Sequence, residues 1–411
     1  MSSFDALAST SFIFAFALVH GAMSVVLCWL SVATATLFIE IVAAKRAVAR
    51  VAAESPATPD WPRVAVLVPA HNESIGIIPT LTDAMSQLRL TDRLLVVADN
   101  CSDDTAQVAR AHGAAVFERQ DPERRGKGYA LSAGVAHLAL DPPDIVVIVD
   151  ADCRLSPNAI ARLAAKCAQS RRPVQANYIM RAPAEATLSY DVAEFAWRVK
   201  NFVRPLGLLA LGLPCQLTGS GMAFSWRTIG TASLASGNIV EDMALGVELA
   251  MRAEPPLYCP DAEVASAFPT SKKAVATQRR RWEHGHFQTL FGSSGRLILN
   301  GLLNRSLDQI ALGLDLAVPP LSALVFMTAA VLAFCLILLG FGFSAALFYI
   351  SALDAAILSL AVIVAWVDHG QDVLPIRALP RLAPYLMGQL RIFQLILRTK
   401  GAAQWTPTDR K

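Results

Sequence analysis

Residues 145–152 read IVVIVDAD, a short apolar run that ends directly in two aspartates. Two runs of the same kind precede it, VAVLVPA at 64–70 and RLLVVAD at 93–99, and helical patterns lie between them. Short β-branched runs that alternate with helices are typical of a parallel sheet covered on both faces. The sequence therefore predicts an α/β domain with a Rossmann-like parallel sheet.

Polar side chains stand at the end of each of these runs. Glu73 comes soon after the first run, Asp99 ends the second, and Asp150 and Asp152 follow the third. Ligands of open parallel sheets bind beyond the carboxyl ends of the strands, so we expect these acids at a common site. The chain has no GxxxxGK[ST] loop and no GxSxG turn, and GSGMAF at 219–224 lacks the third glycine of a dinucleotide-binding loop. ATP, dinucleotide and serine-hydrolase sites of the common kinds are therefore not expected.

Two acidic pairs are candidates for the chemistry. Asp150 and Asp152 could offer oxygen ligands to Mg²⁺ or Mn²⁺, cations that usually share their coordination shell with substrate phosphates. The alternative is a strand-end turn, where Asp is common. Glu241 and Asp242 precede the helical pattern MALGVELAMR, and the pair is either a general base or an acidic helix start stabilised by the helix dipole.

A rarer motif, QRRRW, occupies residues 278–282. On a helix, Gln278, Arg281 and Trp282 would share one face, because residues three and four apart are neighbours. That face offers an amide, a guanidinium fork that suits phosphate, and a flat ring that suits the C–H surface of a sugar. The alternative is a basic helix beside the membrane with Trp as its anchor.

The composition indicates a membrane protein. Hydrophobic residues make up 54% of the 411-residue chain and charged residues only 17%, against roughly 25% in a typical soluble domain. Intrinsic disorder, a secreted disulfide scaffold and an ordinary soluble enzyme are therefore excluded. The net charge of +3 gives no reason to expect a nucleic-acid partner. The seven cysteines include no CxxC pair, which indicates reduced thiols on the cytosolic side and not a zinc site.

The apolar residues are concentrated in two regions without Asp, Glu, Lys or Arg, between positions 5 and 40 and between positions 315 and 354. A bilayer span needs ~20 mostly apolar residues. The three predicted spans lie at 11–39, 318–339 and 343–367, the last two joined by a tight turn. The alternative of a buried pair of core helices fits charge-free runs of this length poorly.

The basic residues predict the orientation of the chain. All 36 Lys and Arg lie within 45–305 or 377–411. By the positive-inside rule, the N-terminus lies outside, and the central block and the C-terminus lie in the cytosol. The sequence thus predicts a multi-pass protein of the inner (plasma) membrane. Within its spans, His20 and Asp354 are either functional groups or partners of a local hydrogen bond, and we favour the second interpretation.

The chain divides into six predicted segments. They are an N-terminal transmembrane helix at 1–44, a linker at 45–63, an α/β domain at 64–285, an interfacial segment at 286–315, a transmembrane hairpin at 316–367, and a cytosolic interfacial helix and tail at 368–411. Apolar residues recur with few charges at 287–314 and 381–398, a pattern typical of helices in the interface plane. Packing on the α/β domain is the alternative for both.

Six motifs follow one another along the chain. They are HNES at 71–74, DNCSDDT at 99–105, GKG at 126–128, DAD at 150–152, ED at 241–242 and QRRRW at 278–282. This ordered set resembles the membrane-integrated family 2 glycosyltransferases, which include the cellulose, hyaluronan and poly-N-acetylglucosamine synthases and ceramide glucosyltransferase. The resemblance covers roughly residues 60–290 and the membrane plan. It implies a GT-A fold, a UDP-linked sugar donor and a divalent cation, Mg²⁺ or Mn²⁺.

The resemblance also implies a role for each motif. The residues implied to bind the donor are Glu73, Asp99, Lys127, Asp150 and Arg281, with Asp150 and Asp152 as metal ligands. Asp242 would be the catalytic base, with Glu241 beside it. The residues implied to bind the acceptor are Gly219, Ser220, Gly221, Gln278 and Trp282. The residues Glu283, His284 and His286 depart from the pattern and have no assigned role.

The expected activity is that of an inverting glycosyltransferase acting at the cytosolic leaflet. We expect a lipid or lipid-linked saccharide as acceptor, in envelope glycolipid or exopolysaccharide biosynthesis, because three apolar spans build a poor pore for a polar glycan. One alternative is a processive synthase that makes and secretes a β-linked polymer, with an oligomer or a partner completing the pore. Another is a catalytically inactive subunit of a synthase complex. The remaining expected partners are membrane lipids.

Overall fold

The structure is a computed structural model that describes residues 3–51, 61–183, 187–235, 241–269, 290–382 and 384. Its strands are β1 (Val64–Ala70), β2 (Arg93–Asp99), β3 (Ala115–Arg119), β4 (Ile145–Ile148), β5 (Arg154–Leu155), β6 (Val174–Arg181), β7 (Met222–Ser225) and β8 (Leu257–Ala267). Its helices are α1 (Ser3–Val51), α2 (Ile77–Met85), α3 (Thr105–Ala111), α4 (Lys127–Leu138), α5 (Ala159–Ser170), α6 (Leu188–Arg198), α7 (Arg204–Ala210), α8 (Trp226–Ile229), α9 (Glu241–Met251), α10 (Gly295–Leu303), α11 (Leu307–Ala317), α12 (Leu321–Gly340) and α13 (Ala345–His369). Short π-helical turns span Val199–Val203 and Leu290–Ser294, and a 3₁₀ turn spans Ile376–Arg381.

The strands form one mixed sheet in the order β3-β2-β1-β4-β7-β6-β8-β5. Strands β3, β2, β1 and β4 are mutually parallel, which is the Rossmann-like half expected from the apolar runs. The predicted Rossmann-like α/β sheet is thus confirmed, and its second half makes the whole sheet mixed, since β7 is antiparallel to both β4 and β6, and β5 is antiparallel to β8. Strands β6 and β8 are parallel to each other.

Alternate residues of β1 point to opposite sides of the sheet, as in any extended strand. Val66 and Val68 belong to a buried core with residues of α2 and α5. Ala65 and Leu67 belong to the opposite core, with residues of α4 and α9. Because helices cover both faces of the sheet, the edge where the strands end is the place that can accommodate polar side chains.

Among the described residues, three helices are long and apolar enough to cross a membrane, as the sequence predicts. They are Phe16–Ala47 within α1, Leu321–Gly340 (α12) and Ala345–His369 (α13). Helix α1 continues to Val51, so the linker predicted at 45–63 is helical in its first part, and residues 52–60 lie outside the described ones. The α1 helix extends further because nothing in 40–51 interrupts it, neither Pro nor Gly.

Helix α1 also packs directly on the α/β domain through α7. A Cβ atom on Gly207 of α7 would lie 1.8 Å from the carbonyl oxygen of Glu40, so the two helices approach at a distance that only glycine permits. Beside this contact, Arg204 Nε donates to Glu40 Oε2 over 2.6 Å and the Arg204 guanidinium also pairs with Asp315. Gln216 Nε2 donates to Asp315 Oδ2 over 2.7 Å. We call Glu40, Arg204, Asp315 and Gln216 the buried ionic cluster.

Two helices precede the second span, in the segment predicted to be interfacial. Helices α10 and α11 leave four leucines largely exposed, namely Leu299, Leu302, Leu303 and Leu307. These side chains suit an apolar surrounding such as the acyl-chain boundary of a membrane. Residues 286–289 and 385–411, including most of the helix expected at 381–398, lie outside the described residues.

Candidate active site

The ends of β1, β2 and β4 lie at one edge of the sheet because these strands are parallel. Asp99 is the last residue of β2, and the residue is only 6% exposed. Its Oδ1 accepts hydrogen bonds from Arg119 Nη1 over 2.5 Å and from Asn100 Nδ2 over 3.1 Å. The carboxylate that the resemblance assigns to the donor is thus held in place by a neighbouring guanidinium.

Glu73 lies at the same edge, in the turn between β1 and α2. Its backbone N–H donates to Thr105 Oγ1 over 2.9 Å, and its carbonyl accepts from the N–H of Ile77. A Cβ atom on Gly76 would lie 2.7 Å from Glu73 Oε2, so the carboxylate folds back over the start of α2. The β1 and β2 turns are joined here, since Asn72 Oδ1 accepts from the N–H of Ser102.

Lys127, the first residue of α4, connects three of the predicted motifs. Its Nζ lies 2.5 Å from Asp150 Oδ1, 2.7 Å from the carbonyl oxygen of Gly219 and 3.9 Å from Glu241 Oε1. Burial by itself would lower the pKa of Lys127, but the surrounding carboxylates raise it above its ordinary value. The ammonium group therefore stays charged and neutralises part of the acidic cluster around it.

Asp150, Asp152 and Cys153 form the candidate metal centre, with one potential ligand atom of each within 4.8 Å of the others. Asp152 Oδ2 accepts from Ser266 Oγ over 2.7 Å, which fixes that carboxylate. Burial, with a further contribution from the charge of Asp150, raises the pKa of Cys153 to about 12, so its thiol keeps its proton. The donor set thus fits a hard divalent cation bound by carboxylate oxygens and does not fit a thiolate-bound metal.

Glu241 and Asp242 open α9 and lie against the Gly219-Ser220-Gly221 loop. Gly219 has φ +96°, and a Cβ there would lie 3.2 Å from Asp242 Oδ2 and 3.6 Å from Lys127 Nζ. Burial raises the pKa of Asp242, and burial together with the charge of Asp242 raises that of Glu241 to about 7. A carboxylate with a raised pKa beside an open loop is suited to accept a proton.

The structure brings together three of the six motifs, GKG, DAD and ED, and the Gly219-Ser220-Gly221 loop. The contacts are made through Lys127, Asp150, Ser220 and Asp242. The backbone N–H of Asp150 donates to Ser220 Oγ over 3.0 Å, which joins the DAD and GSG motifs. The remaining predicted residues, Gln278, Arg281 and Trp282, and with them Glu283, His284 and His286, lie outside the described residues.

Three residues at the site carried no sequence signal. Arg119 holds Asp99, Ser266 holds Asp152, and Lys200 lies near enough to Asp242 for each to influence the pKa of the other. Arg119 ends β3 and Ser266 lies in β8, and neither position belongs to a motif. Only the pairing of neighbouring strands, which the sequence does not reveal, places them at the carboxylates.

Comparison with known proteins matches this region to one family. The family model described as "Glycosyltransferase like family 2" matches residues 62–285, more than half of the chain. An uncharacterized glycosyltransferase of Mycobacterium tuberculosis is 37% identical over 103 residues, which cover 25% of this chain and 43% of that protein. Glucomannan 4-beta-mannosyltransferase 7 of Arabidopsis thaliana is 24% identical over 261 residues, covering 58% of this chain and 45% of that protein.

The alignments thus span less than half the length of either of these two relatives. Among solved structures, a mannosyltransferase from Pyrobaculum calidifontis in complex with GDP-Man and Mn²⁺ matches with a TM-score of 0.46 and 19% identity, covering 84% of this chain and 99% of that one. The parallel half-sheet with covered faces, followed by the antiparallel β7, agrees with the GT-A class expected from the six motifs.

Proposed function

The chain belongs to glycosyltransferase family 2, and we propose that it transfers a sugar from a UDP-linked donor, with inversion, to a lipid or lipid-linked saccharide at the cytosolic leaflet. The observation that carries the proposal is the contact of Lys127 with Asp150, the Gly219 carbonyl and Glu241, which unites the donor-side acids with the acid pair of α9. Glu73 and Asp99 complete the donor side in this proposal.

Asp242 is the base of the proposed reaction. It takes the proton of the acceptor hydroxyl as that oxygen attacks the anomeric carbon, and the bond from this carbon to the diphosphate breaks in the same displacement. A single displacement inverts the anomeric centre, so an α-linked donor gives a β-linked product. Glu241, whose pKa is about 7, shares the charge of the pair with Asp242.

The leaving group departs as a diphosphate, which needs positive charge beside it. Asp150 and Asp152 would hold the divalent cation that supplies this charge, and Ser266 keeps Asp152 oriented. The Lys127 ammonium group, in contact with Asp150, is a second positive charge in the same region. Arg281 and Trp282 retain the roles that the family motif implies, beside the diphosphate and the acceptor.

A lipid acceptor is supported by the surfaces of the apolar helices. Helices α12 and α13 leave large apolar side chains exposed, as at Phe334, Ile337, Leu353 and Ile363. The intramembrane Asp354 is buried between helices, where Ser31 donates to it over 2.9 Å, so it serves α1–α13 packing in the described part of the chain. A polar glycan chain crossing the bilayer would need polar walls instead.

The processive alternative rests on a specific relative, the plant protein named for a glucomannan 4-β-mannosyltransferase activity. The two candidates differ in the product. We would incubate the purified protein in liposomes with each labelled nucleotide sugar and a lipid extract, with the Asp242→Asn variant as control. The proposal expects short labelled product that partitions with lipid, whereas polymer formed without added lipid acceptor contradicts it. Absence of transfer and of UDP release with every donor favours the inactive-subunit alternative.

A further inference from the structure

A cavity of about 390 Å³ opens between the α/β domain and the last apolar helix. Its walls come from β6 and β8, from the end of α6, and from the C-terminal end of α13, where Asp368 and His369 lie. Ligand pockets usually enclose roughly 300–1,000 Å³, so the size suits a small polar group. None of the six sequence motifs contributes a described residue to its lining.

The cavity lies at the same edge of the sheet as the acidic residues Asp150 and Asp152, which we call the acid cluster. Strand β7 is antiparallel to both β4 and β6, so β6 ends at the same edge as β4, which Asp150 follows. Ser266, the hydrogen-bond partner of Asp152, pairs in register with Met180, which lines the cavity. Trp197, another lining residue, meets the Tyr178 ring edge-on, with the ring centroids 5.6 Å apart. A ligand in the cavity would therefore be a neighbour of the proposed metal centre.

The charges around the cavity do not favour an anion. The two arginines that line it already face carboxylates, in the pairs Arg181–Glu263 at 2.9 Å and Arg198–Asp372 at 2.7 Å. The lining Asp368 is itself paired with Lys45, from outside the lining, at 3.1 Å. Glu194 adds a further carboxylate to the lining, 3.6 Å from Arg198. His369 is the remaining titratable side chain, and its ring packs edge-on against Phe202. A phosphate bound here would be repelled by the carboxylates. In the described part of the wall, it would find no unpaired guanidinium or ammonium group to compensate for that repulsion.

The polar group left over for a ligand is an amide oxygen. Asn177 is 7% exposed and lines the cavity, and its Oδ1 has no hydrogen-bond partner among the described residues. The strand register shifts between Ala176 and Asn177, an irregularity of the kind that redirects a side chain near a functional site. An unmet buried acceptor is costly. The oxygen itself has almost no accessible surface, so the amide must rotate toward the cavity for a ligand hydroxyl to satisfy it.

An aromatic side chain, Trp197, lines the same cavity. The Trp197 indole N–H donates to the carbonyl of Tyr178 over 3.0 Å, which fixes the ring. A fixed indole presents a flat apolar surface, and sugars and polyols carry C–H groups on one side and hydroxyl groups at the rim. A ligand that offers a hydroxyl donor to Asn177 and a C–H surface to Trp197 is a neutral, hydroxylated molecule.

We propose that this cavity binds the head group of the acceptor lipid, and that the head group is neutral and hydroxylated, a sugar or polyol, and not a phosphate. The inference rests on the proposed function and adds the substrate class. The end of α13 supplies one wall, so a lipid anchored in the bilayer reaches the cavity sideways, with its acyl chains beside the apolar face of that helix. The head group then meets the acid cluster from the β6–β8 side of the sheet.

The first arm of the test compares lipids. The full-length protein is reconstituted in phosphatidylcholine vesicles that contain a glycosyl diacylglycerol, plain diacylglycerol or a polyprenyl phosphate, and transfer from each labelled nucleotide sugar is measured. The inference expects product from the neutral hydroxylated lipids and at least tenfold less from the phosphate. Product from the polyprenyl phosphate alone overturns the inference but leaves the proposed function standing. If no lipid is glycosylated and UDP is released only by hydrolysis of the donor, both the inference and the proposed function are overturned.

The second arm tests the cavity itself. Asn177→Leu removes the amide oxygen at similar volume, and Trp197→Ala removes the indole surface, so each is expected to raise the KM for the neutral lipid about tenfold. The KM for the donor should change less than the KM for the lipid. Trp226→Phe, at a tryptophan that packs in the opposite core, is the matched control and should keep both KM values. Thermal denaturation identifies variants that do not fold, and Trp197→Phe then replaces Trp197→Ala. Equal KM values for the lipid in Asn177→Leu, Trp197→Phe and the control overturn the proposed site.

Discussion

Asp242 is the residue on which the proposed chemistry depends. Its carboxylate lies beside the Gly219 loop and near Lys127 Nζ, and burial raises its pKa. Asp242→Asn should lower turnover by roughly 10²–10⁴-fold, because an amide cannot accept the proton. The measurement is labelled-sugar transfer by the purified variant, with donor affinity determined separately and expected to stay near wild type. Near-normal turnover would remove Asp242 from the mechanism.

The pair Glu241 and Asp242 also predicts a pH profile. The pKa of Glu241 is raised from 4.5 to about 7, and that of Asp242 is raised as well, so the pair gains protons as the pH falls below about 7. We expect kcat/KM to fall on that acid side, since the base must be ionised. Glu241→Gln removes one of two adjacent charges and should move the acid limb to lower pH. An unchanged limb in this variant would show that the two carboxylates do not titrate together.

The metal assignment is tested at Asp152. Asp152→Asn removes a charged oxygen ligand from the candidate centre, whereas Ser266→Ala removes only the hydrogen bond that orients it. We expect the first variant to need far more Mg²⁺ or Mn²⁺ for half-maximal activity than the second. EDTA should abolish activity of the wild type, and added divalent cation should restore it. Full activity in chelator would contradict the carboxylate-bound metal.

Among the elements, α1 and α7 are joined by the buried ionic cluster. Arg204 is 4% exposed and bridges Glu40 of α1 and Asp315 of α11, so Arg204→Met leaves two buried carboxylates without their cation. Removing one partner of a buried ion pair typically costs about 3–5 kcal/mol of unfolding free energy. Arg252→Ala, which breaks a partly exposed pair with Glu248, is the control and should cost about 0–1 kcal/mol.

The measurement is thermal denaturation of both variants in the same lipid nanodiscs. Gln216 belongs to the segment that leads from α7 into the Gly219-Ser220-Gly221 loop, so Arg204→Met should also reduce turnover in the fraction that stays folded. Equal midpoints for the two variants would show that the cluster does not stabilise the α1–α7 contact.

The short helices show how far sequence patterns reach at the scale of an element. The patterns predict helices over 76–89, 103–112 and 128–140, and the structure has Ile77–Met85, Thr105–Ala111 and Lys127–Leu138. Each helix is found, but its ends shift, because capping and packing decide where the last turn stops. Helix α1 shows the larger error, since its predicted end at a linker ignores the support that α7 gives to residues beyond the apolar run.

At the scale of the whole molecule, the prediction concerns orientation. The Lys and Arg distribution predicts the N-terminus outside and the α/β domain in the cytosol. A short epitope tag before Met1 should therefore be cleaved by protease added to intact spheroplasts, whereas a tag after Lys411 should be cleaved only in inverted vesicles. Cleavage of the C-terminal tag in intact spheroplasts would contradict the orientation and, with it, a cytosolic donor site.

The sequence by itself determined the features that depend on local composition. Continuous apolar runs identified the parallel strands, charge-free stretches identified the three apolar helices, and the acids Asp99, Asp150 and Asp152 were recognised at strand ends. These signals are local because side-chain periodicity and hydropathy are properties of a few consecutive residues. The ordered motifs added the family, which the match over residues 62–285 then established.

The tertiary structure alone decided which distant groups meet. Several features join residues far apart in the chain. They are the antiparallel pairing of β7 with β4, the ion pair of Arg119 with Asp99, the position of Lys127 between Asp150 and Glu241, and the buried ionic cluster. The cavity between β6, β8 and α13, which no motif marks, does the same. Such contacts depend on how whole elements pack against one another. The sequence around a carboxylate or a guanidinium therefore does not indicate which distant partner will lie within hydrogen-bonding distance.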